Sequence, residues 1–164
     1  MKTFYRDQCA IIYRPNEEFG ALSNFSFLPI TLGSMKFRTS EHLYQCFRFT
    51  HESSIQQEII DSKTPREAKD IANACKNLTR KDWFDINIPV MEWVLRIKLF
   101  QNWDIINEVL AKSIGRYLVE ESKTDDFWGA IAFEDHNLAQ RLQGQNKLGE
   151  LRILLHNSPS LFFN

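Results

Sequence analysis

Glycine and proline are scarce in this 164-residue chain, at six and five residues, about half their average usage. That scarcity disfavours a many-turned sandwich or barrel and favours helices. No apolar stretch reaches the length needed to cross a bilayer, and the first residues hold no apolar signal core, so the expectation is a soluble, cytoplasmic protein. The three cysteines, at positions 9, 46 and 75, are odd in number and form no CxxC pair. They give no disulfide framework, fit a reducing compartment, and read as small buried hydrophobes. Neither sign of charge dominates, with 20 Lys and Arg against 21 Asp and Glu. A domain that grips DNA mainly by neutralising phosphates is more basic than this, although a local pocket for one or two phosphates stays open.

What is present fits one globular domain over residues 1–164. Apolar residues make up 43% and charged residues 25%, which excludes wholesale disorder. A chain of this length buries about two-thirds of its unfolded surface without staples. Cysteine 9 to Tyr13 reads as a strand closed by Arg14-Pro15-Asn16. Residues 18–25 show no period and read as an irregular turn, and a small hairpin is expected around Leu32-Gly33-Ser34. Thr39 or Ser40 can cap a helix from Glu41, with a break expected near residues 50–54. Thr64, Pro65 and Glu67 spell a capping box with proline at the first helical position. Pro89 is expected to open the longest helix, with Trp93 in its core, and a second piece follows from Asp104. Residues 117–119 and 127–133 read as extended, and 148–155 as a last helix. The sum is an α-rich α+β domain with several helices and a small β-sheet.

Four clusters could carry chemistry. In the first, Ser23-Asn24-Phe25 precedes Glu41, His42, Gln45 and Arg48. Glu41, Gln45 and Arg48 share one helical face, which is either solvated or the floor of a polar pocket. His42 by itself fits a structural hydrogen-bonder as well as a catalyst. In the second, Trp83 follows a charged run and is either an exposed stacking surface or a partly buried indole. Lys98 sits on the apolar side of its helix, where it either snorkels or is desolvated into a candidate amine nucleophile. The third packs Glu120, Glu121, Asp125 and Asp126 beside Trp128-Gly129. Carboxylates of this kind serve glycoside hydrolysis, or simply face solvent and cap turns. The fourth, Gly144-Gln145-Asn146-Lys147-Leu148-Gly149, is either an anion site at a helix start or a plain turn.

Taken in order, these blocks resemble the NADAR (YbiA-like) family from about residue 19 to 155. The resemblance rests on Leu22-Ser23-Asn24-Phe25, Ser40-Glu41-His42 with Tyr44-Gln45, Thr64-Pro65-Arg66-Glu67-Ala68-Lys69, Asp82-Trp83 with Met91, and Lys98 with Phe100-Gln101. It continues through Leu118-Val119-Glu120, Asp126-Phe127-Trp128-Gly129 and the glycine-asparagine block at 144–149. It implies an N-glycosidase without metal or cofactor. The implied substrates are ADP-ribosylated guanine, as nucleoside or DNA, or a phosphorylated ribosyl-pyrimidine of early riboflavin synthesis. The first would link the chain to an ADP-ribosyltransferase toxin. A non-catalytic ADP-ribose or nucleotide binder is the alternative. The resemblance gives Glu41, Lys98 and Asp126 catalytic parts. It gives substrate contacts to Ser23, Asn24, Phe25, His42, Gln45, Arg48, Trp83, Trp128, Gly129, Asn146 and Lys147. Two departures stand out. Arg48 occupies a position where the family usually has lysine, and residues 130–143, with Glu134, Asp135 and His136, lengthen the path to the glycine-asparagine block.

Overall fold

The computed structural model describes residues 1–134 and 140–156. It falls into two units, one of Met1–Ser23 with Asp104–Asn164 and one of Asn24–Trp103.

The first unit is built on a five-stranded mixed sheet. Its strands are β1 (Lys2–Tyr5), β2 (Cys9–Ile12), β5 (Tyr117–Ser122), β6 (Ala130–Glu134) and β7 (Gln140–Gly144), in the order β1-β7-β6-β5-β2. β5 runs parallel to both β2 and β6, and β7 runs antiparallel to β6 and β1. Cys9, Val119, Ala130 and Leu142 each supply one buried side chain from β2, β5, β6 and β7, and Phe4 and Ile11 pack against them. Burial pushes the Cys9 thiol up to about 11, so it behaves as a core atom. Helices α5 (Trp103–Lys112) and α6 (Lys147–His156) complete this part of the chain. The long path after Trp128-Gly129 is thus the β6–β7 pair. Asp135 and His136 lie outside the described residues.

The second unit is helical. It carries a hairpin of β3 (Ile30–Leu32) and β4 (Met35–Phe37), then α1 (Ser40–Cys46), α2 (Ser53–Asp61), α3 (Pro65–Ala74) and α4 (Trp83–Gln101). Thr39 caps α1 through the His42 amide. Both halves of the Thr64–Glu67 capping box form at α3, which is why that helix starts where its sequence says. Ala68 and Ala72 put its small face inside. α1 packs on α2, α3 and α4. Every residue of α1 is buried, including Cys46, whose thiol burial drives up to about 12.

Two expectations about α4 are corrected. The helix opens at Trp83, six residues before Pro89. A proline inside a helix costs about 3 kcal/mol through one lost hydrogen bond and a ring clash. Burial of Trp83 against Tyr44 and of Met91, Val94, Leu95 and Leu99 on the same helix outweighs it. Trp93 is 40% exposed, not core. It lies beside the buried stripe and meets Phe47 edge-on at 5.2 Å between ring centroids. Among the described residues no helix is long and apolar enough to cross a membrane.

Candidate active site

The helical unit gathers the first cluster around α1. The Asn24 carbonyl accepts from the Glu41 amide at 3.1 Å, which ties Asn24-Phe25 to the helix start. Glu41 is 6% exposed and Gln45 4% exposed. The shared face is therefore not solvated; it is a buried polar row. Gln45 Nε2 donates to Glu41 Oε1 at 2.7 Å, and Arg48 Nη1 donates to Gln45 Oε1 at 2.9 Å. A carboxylate, an amide and a guanidinium thus form one hydrogen-bonded line. The Asn24 amide has an unusual environment. Its Nδ2 donates to the Met91 thioether, at 3.2 Å, a weak acceptor. Its Oδ1 is buried and has no partner among the described residues. An unsatisfied buried amide oxygen costs about 1–3 kcal/mol, and a substrate hydroxyl or N–H would relieve that cost.

Lys98 is 2% exposed, so its ammonium does not snorkel to solvent. Phe25 stands under the Arg66 guanidinium, 5.8 Å from the ring centroid. Three other members of the expected set are used internally. His42 is fully buried, with Nδ1 against Thr39 Oγ1 at 2.8 Å and Nε2 against the Ser62 carbonyl at 3.3 Å. Those partners fit a neutral ring with the proton on Nε2, and burial lowers the histidine's pKa first and foremost. It is a structural hydrogen-bonder. Trp83 is 6% exposed and packs on Tyr44 with centroids 5.1 Å apart, so it offers no open stacking face. Arg48 directs its donors inward to Gln45, to Asn73 Oδ1 at 3.3 Å and to Thr79 Oγ1 at 3.2 Å. Burial depresses its pKa somewhat, but a guanidinium stays charged.

The sheet unit holds the remaining clusters. Its four carboxylates divide their work. Glu120 takes Arg152 Nη1 at 2.9 Å, and Glu121 pairs with Arg6. Asp125 Oδ1 accepts from the amides of Phe127 and Trp128, at 3.1 and 2.8 Å, so it shapes the turn. Asp126 is exposed, and half-buried Trp128 meets Phe127 edge-on. Gly129 is required by close approach, since a Cβ there would strike the Glu120 carbonyl.

The start of α6, read above as either an anion site or a plain turn, uses its polar groups internally. The amides of Gln145, Asn146, Lys147 and Leu148 donate to the carbonyls of Asp126, Gly129, Phe127 and Trp128. Asn146 adopts φ 53°, a left-handed conformation that asparagine tolerates better than most residues. Its side chain accepts from the Glu120 amide at 3.0 Å and donates to the Leu118 carbonyl at 2.8 Å. Lys147 pairs with Glu150 at 3.0 Å. The block is a clamp that fixes residues 126–129, and four of its successive amides are engaged in doing so. Sequence reasoning missed Arg152, which is 5% exposed; its position inside the apolar run of α6 was the available signal. Ser23 is also buried in this unit.

A mixed α+β fold, with a buried carboxylate held by an amide donor at a helix start, defines the class. The NADAR domain family matches residues 4–155, and the chain belongs to that family. The N-glycosidase YbiA of Escherichia coli is 29% identical over 156 residues, 95% of this chain and 91% of that protein. An NMR structure of YbiA superposes with a TM-score of 0.72 at 26% identity, covering 96% of this chain and 91% of that one. An N-glycosidase of Nostoc punctiforme is 33% identical over 73% of this chain and 78% of that protein. A riboflavin biosynthesis protein of Vibrio vulnificus is 29% identical over 91% of this chain, which spans only 38% of that protein's length.

Proposed function

We propose that this chain hydrolyses a ribosyl N-glycosidic bond and that its substrate is ADP-ribosylated guanine. As a NADAR-family chain related over most of its length to proteins named N-glycosidases, it is a hydrolase of N-glycosyl bonds; the proposal concerns which bond. The observation that supports it is the buried Glu41, whose Oε1 accepts from Gln45. A carboxylate held as an acceptor can take a proton from water or stabilise the cationic carbon that forms as the base departs. Asn24, with an unpartnered Oδ1, would take a hydrogen bond from the substrate. Lys98 is the amine a covalent route would use. Its nitrogen adds to C1 as the C1–N bond breaks and the base leaves protonated. The ring oxygen then leaves C1 to give the opened-ribose imine, and water hydrolyses that imine to free the sugar and the lysine. Arg48 cannot form that imine.

The decisive assay incubates the protein with ADP-ribosylated guanosine and follows free ADP-ribose. Release that falls at least about 100-fold in Glu41→Gln supports the reading. Near-normal release from that variant removes Glu41 from its role. Borohydride during turnover traps an adduct that Lys98→Ala lacks if the imine forms.

A second reading, cleavage of an early riboflavin intermediate, is favoured by the name of the Vibrio relative. It predicts release of ribose phosphate from a phosphorylated ribosyl-pyrimidine and none from the guanosine substrate. Binding of ADP-ribose without turnover of either compound would point to a nucleotide-binding protein.

A further inference from the structure

We infer that Arg48 is a positioning residue that sets the orientation of Glu41 through the side-chain amide of Gln45. The inference rests on the reading of Glu41 as the acting carboxylate. An amide side chain has two ends of nearly equal size, so shape alone does not say which faces which neighbour. Chemistry does. A guanidinium has donors and no acceptor, so the Gln45 oxygen must face Arg48 and its NH₂ must face Glu41. The observed 2.9 and 2.7 Å bonds have that polarity. Glu41 Oε1 is thereby held as the acceptor of that N–H, and the carboxylate is fixed in orientation.

Arg48 is itself fixed by acceptors on two other segments, Asn73 on α3 and Thr79 after it. The guanidinium therefore lies in a frame of three acceptors, and only one passes its orientation on. The relay places a cationic donor on Gln45 without a primary amine. It also separates two roles for Arg48: a phosphate clamp would act on substrate affinity, whereas a residue acting through Gln45 changes the chemical step.

Two measurements test this. In ¹⁵N-labelled protein, the two Gln45 side-chain amide protons, inequivalent in any primary amide because the C–N bond does not rotate freely, should be shifted from free-glutamine values and exchange slowly with water. Arg48→Met should move them towards free-glutamine values and speed that exchange, and Arg48→Lys, which keeps a cationic donor, should change them less. With ADP-ribosylated guanosine as the probe, Arg48→Met should lower kcat by about 10- to 100-fold, as small misplacements of a reacting group do, with KM little changed. Gln45→Met should give a similar loss and the double variant no further one, since residues in one relay are not additive. Unchanged Gln45 resonances in Arg48→Met overturn the inference. So does a raised KM with kcat intact, or additive losses in the double variant. If the unaltered protein releases no ADP-ribose, the functional reading fails, and the amide spectrum alone decides the relay. Should Arg48→Met not fold, Gln45→Met with the kcat–KM split carries the test.

Discussion

Helix α6 begins at an asparagine-containing turn and the start of α1 is held by one from earlier in the chain, and both place polar groups out of water, but they use them differently. At α6, Asn146 gives both ends of its amide to the β5 backbone, and four successive amides pair with the carbonyls of residues 126–129. The amides and the Asn146 side chain that were expected to meet a ligand meet main chain instead, and Lys147 meets Glu150. At α1, the Asn24 carbonyl holds the helix, but its side-chain oxygen has no partner and its NH₂ touches a thioether. Glu41 and Gln45 are as buried as Asn146, yet they are joined side chain to side chain. Buried polarity that is fully matched to backbone builds a scaffold. Buried polarity that is left partly unmatched is where a substrate has something to gain.

This contrast can be broken by exchanging its consequences. Glu41→Gln should cost turnover by the 100-fold margin above while the urea midpoint barely moves. Asn146→Ala should do the reverse. It strands the Leu118 carbonyl and the Glu120 amide, and at about 1–3 kcal/mol for each unsatisfied buried group a loss of about 3 kcal/mol is expected in denaturant unfolding. Equal destabilisation by the two variants would abolish the distinction. Gly149→Ala sharpens it, because a Cβ there would fall on the Leu118 carbonyl and on the Asn146 amide. A loss of about 2 kcal/mol is expected, as in other overpacked sites, and no loss would mean that the clamp is slack. Thr64→Ala calibrates a cap belonging to neither start. It removes the Thr64 half of the capping box at α3 and should cost about 1 kcal/mol.

The smallest effect concerns pH. His42 is buried and its pKa lies below the usual 6.5, chiefly through burial. Below pH 6.5 the unfolded chain binds a proton that the folded chain refuses, so the histidine's contribution is intact above 6.5 and is lost as pH falls towards the folded pKa. Its ring resonances should titrate with a midpoint below 6.5. A midpoint near 6.5 would open the cap at α1 to question.

Local grammar was legible from the sequence; burial was not. The capping box at Thr64 and the Thr39 cap need only a few neighbouring residues, and both helices start where those residues place them. β1 and β7 went unread. Lys2–Tyr5 and Gln140–Gly144 have little apolar alternation of their own, and they become strands by pairing Lys2 with Gly144 and Tyr5 with Arg141. Pro89 misplaced the start of α4 because a rule about isolated helices met a tertiary contact at Trp83. The row of Glu41, Gln45 and Arg48 was visible as a face. Which way it pointed depended on α2, α3 and α4 closing around a seven-residue helix, and no periodicity within α1 carries that information. The same gap separated Lys98 at 2% exposure from Trp93 at 40%.

The register of β1 against β7 also bears on how the chain is made. The helical unit is one continuous stretch, Asn24–Trp103, whereas the sheet unit is assembled from both ends of the described chain. During synthesis, β1 and β2 leave the ribosome first and have no partners until β5, β6 and β7 follow. Distant pairings of this kind are slow and leave strand edges open. The waiting strands Lys2–Tyr5 and Cys9–Ile12 are the segments that a chaperone would meet, and slower translation across residues 104–144 would lengthen that exposure.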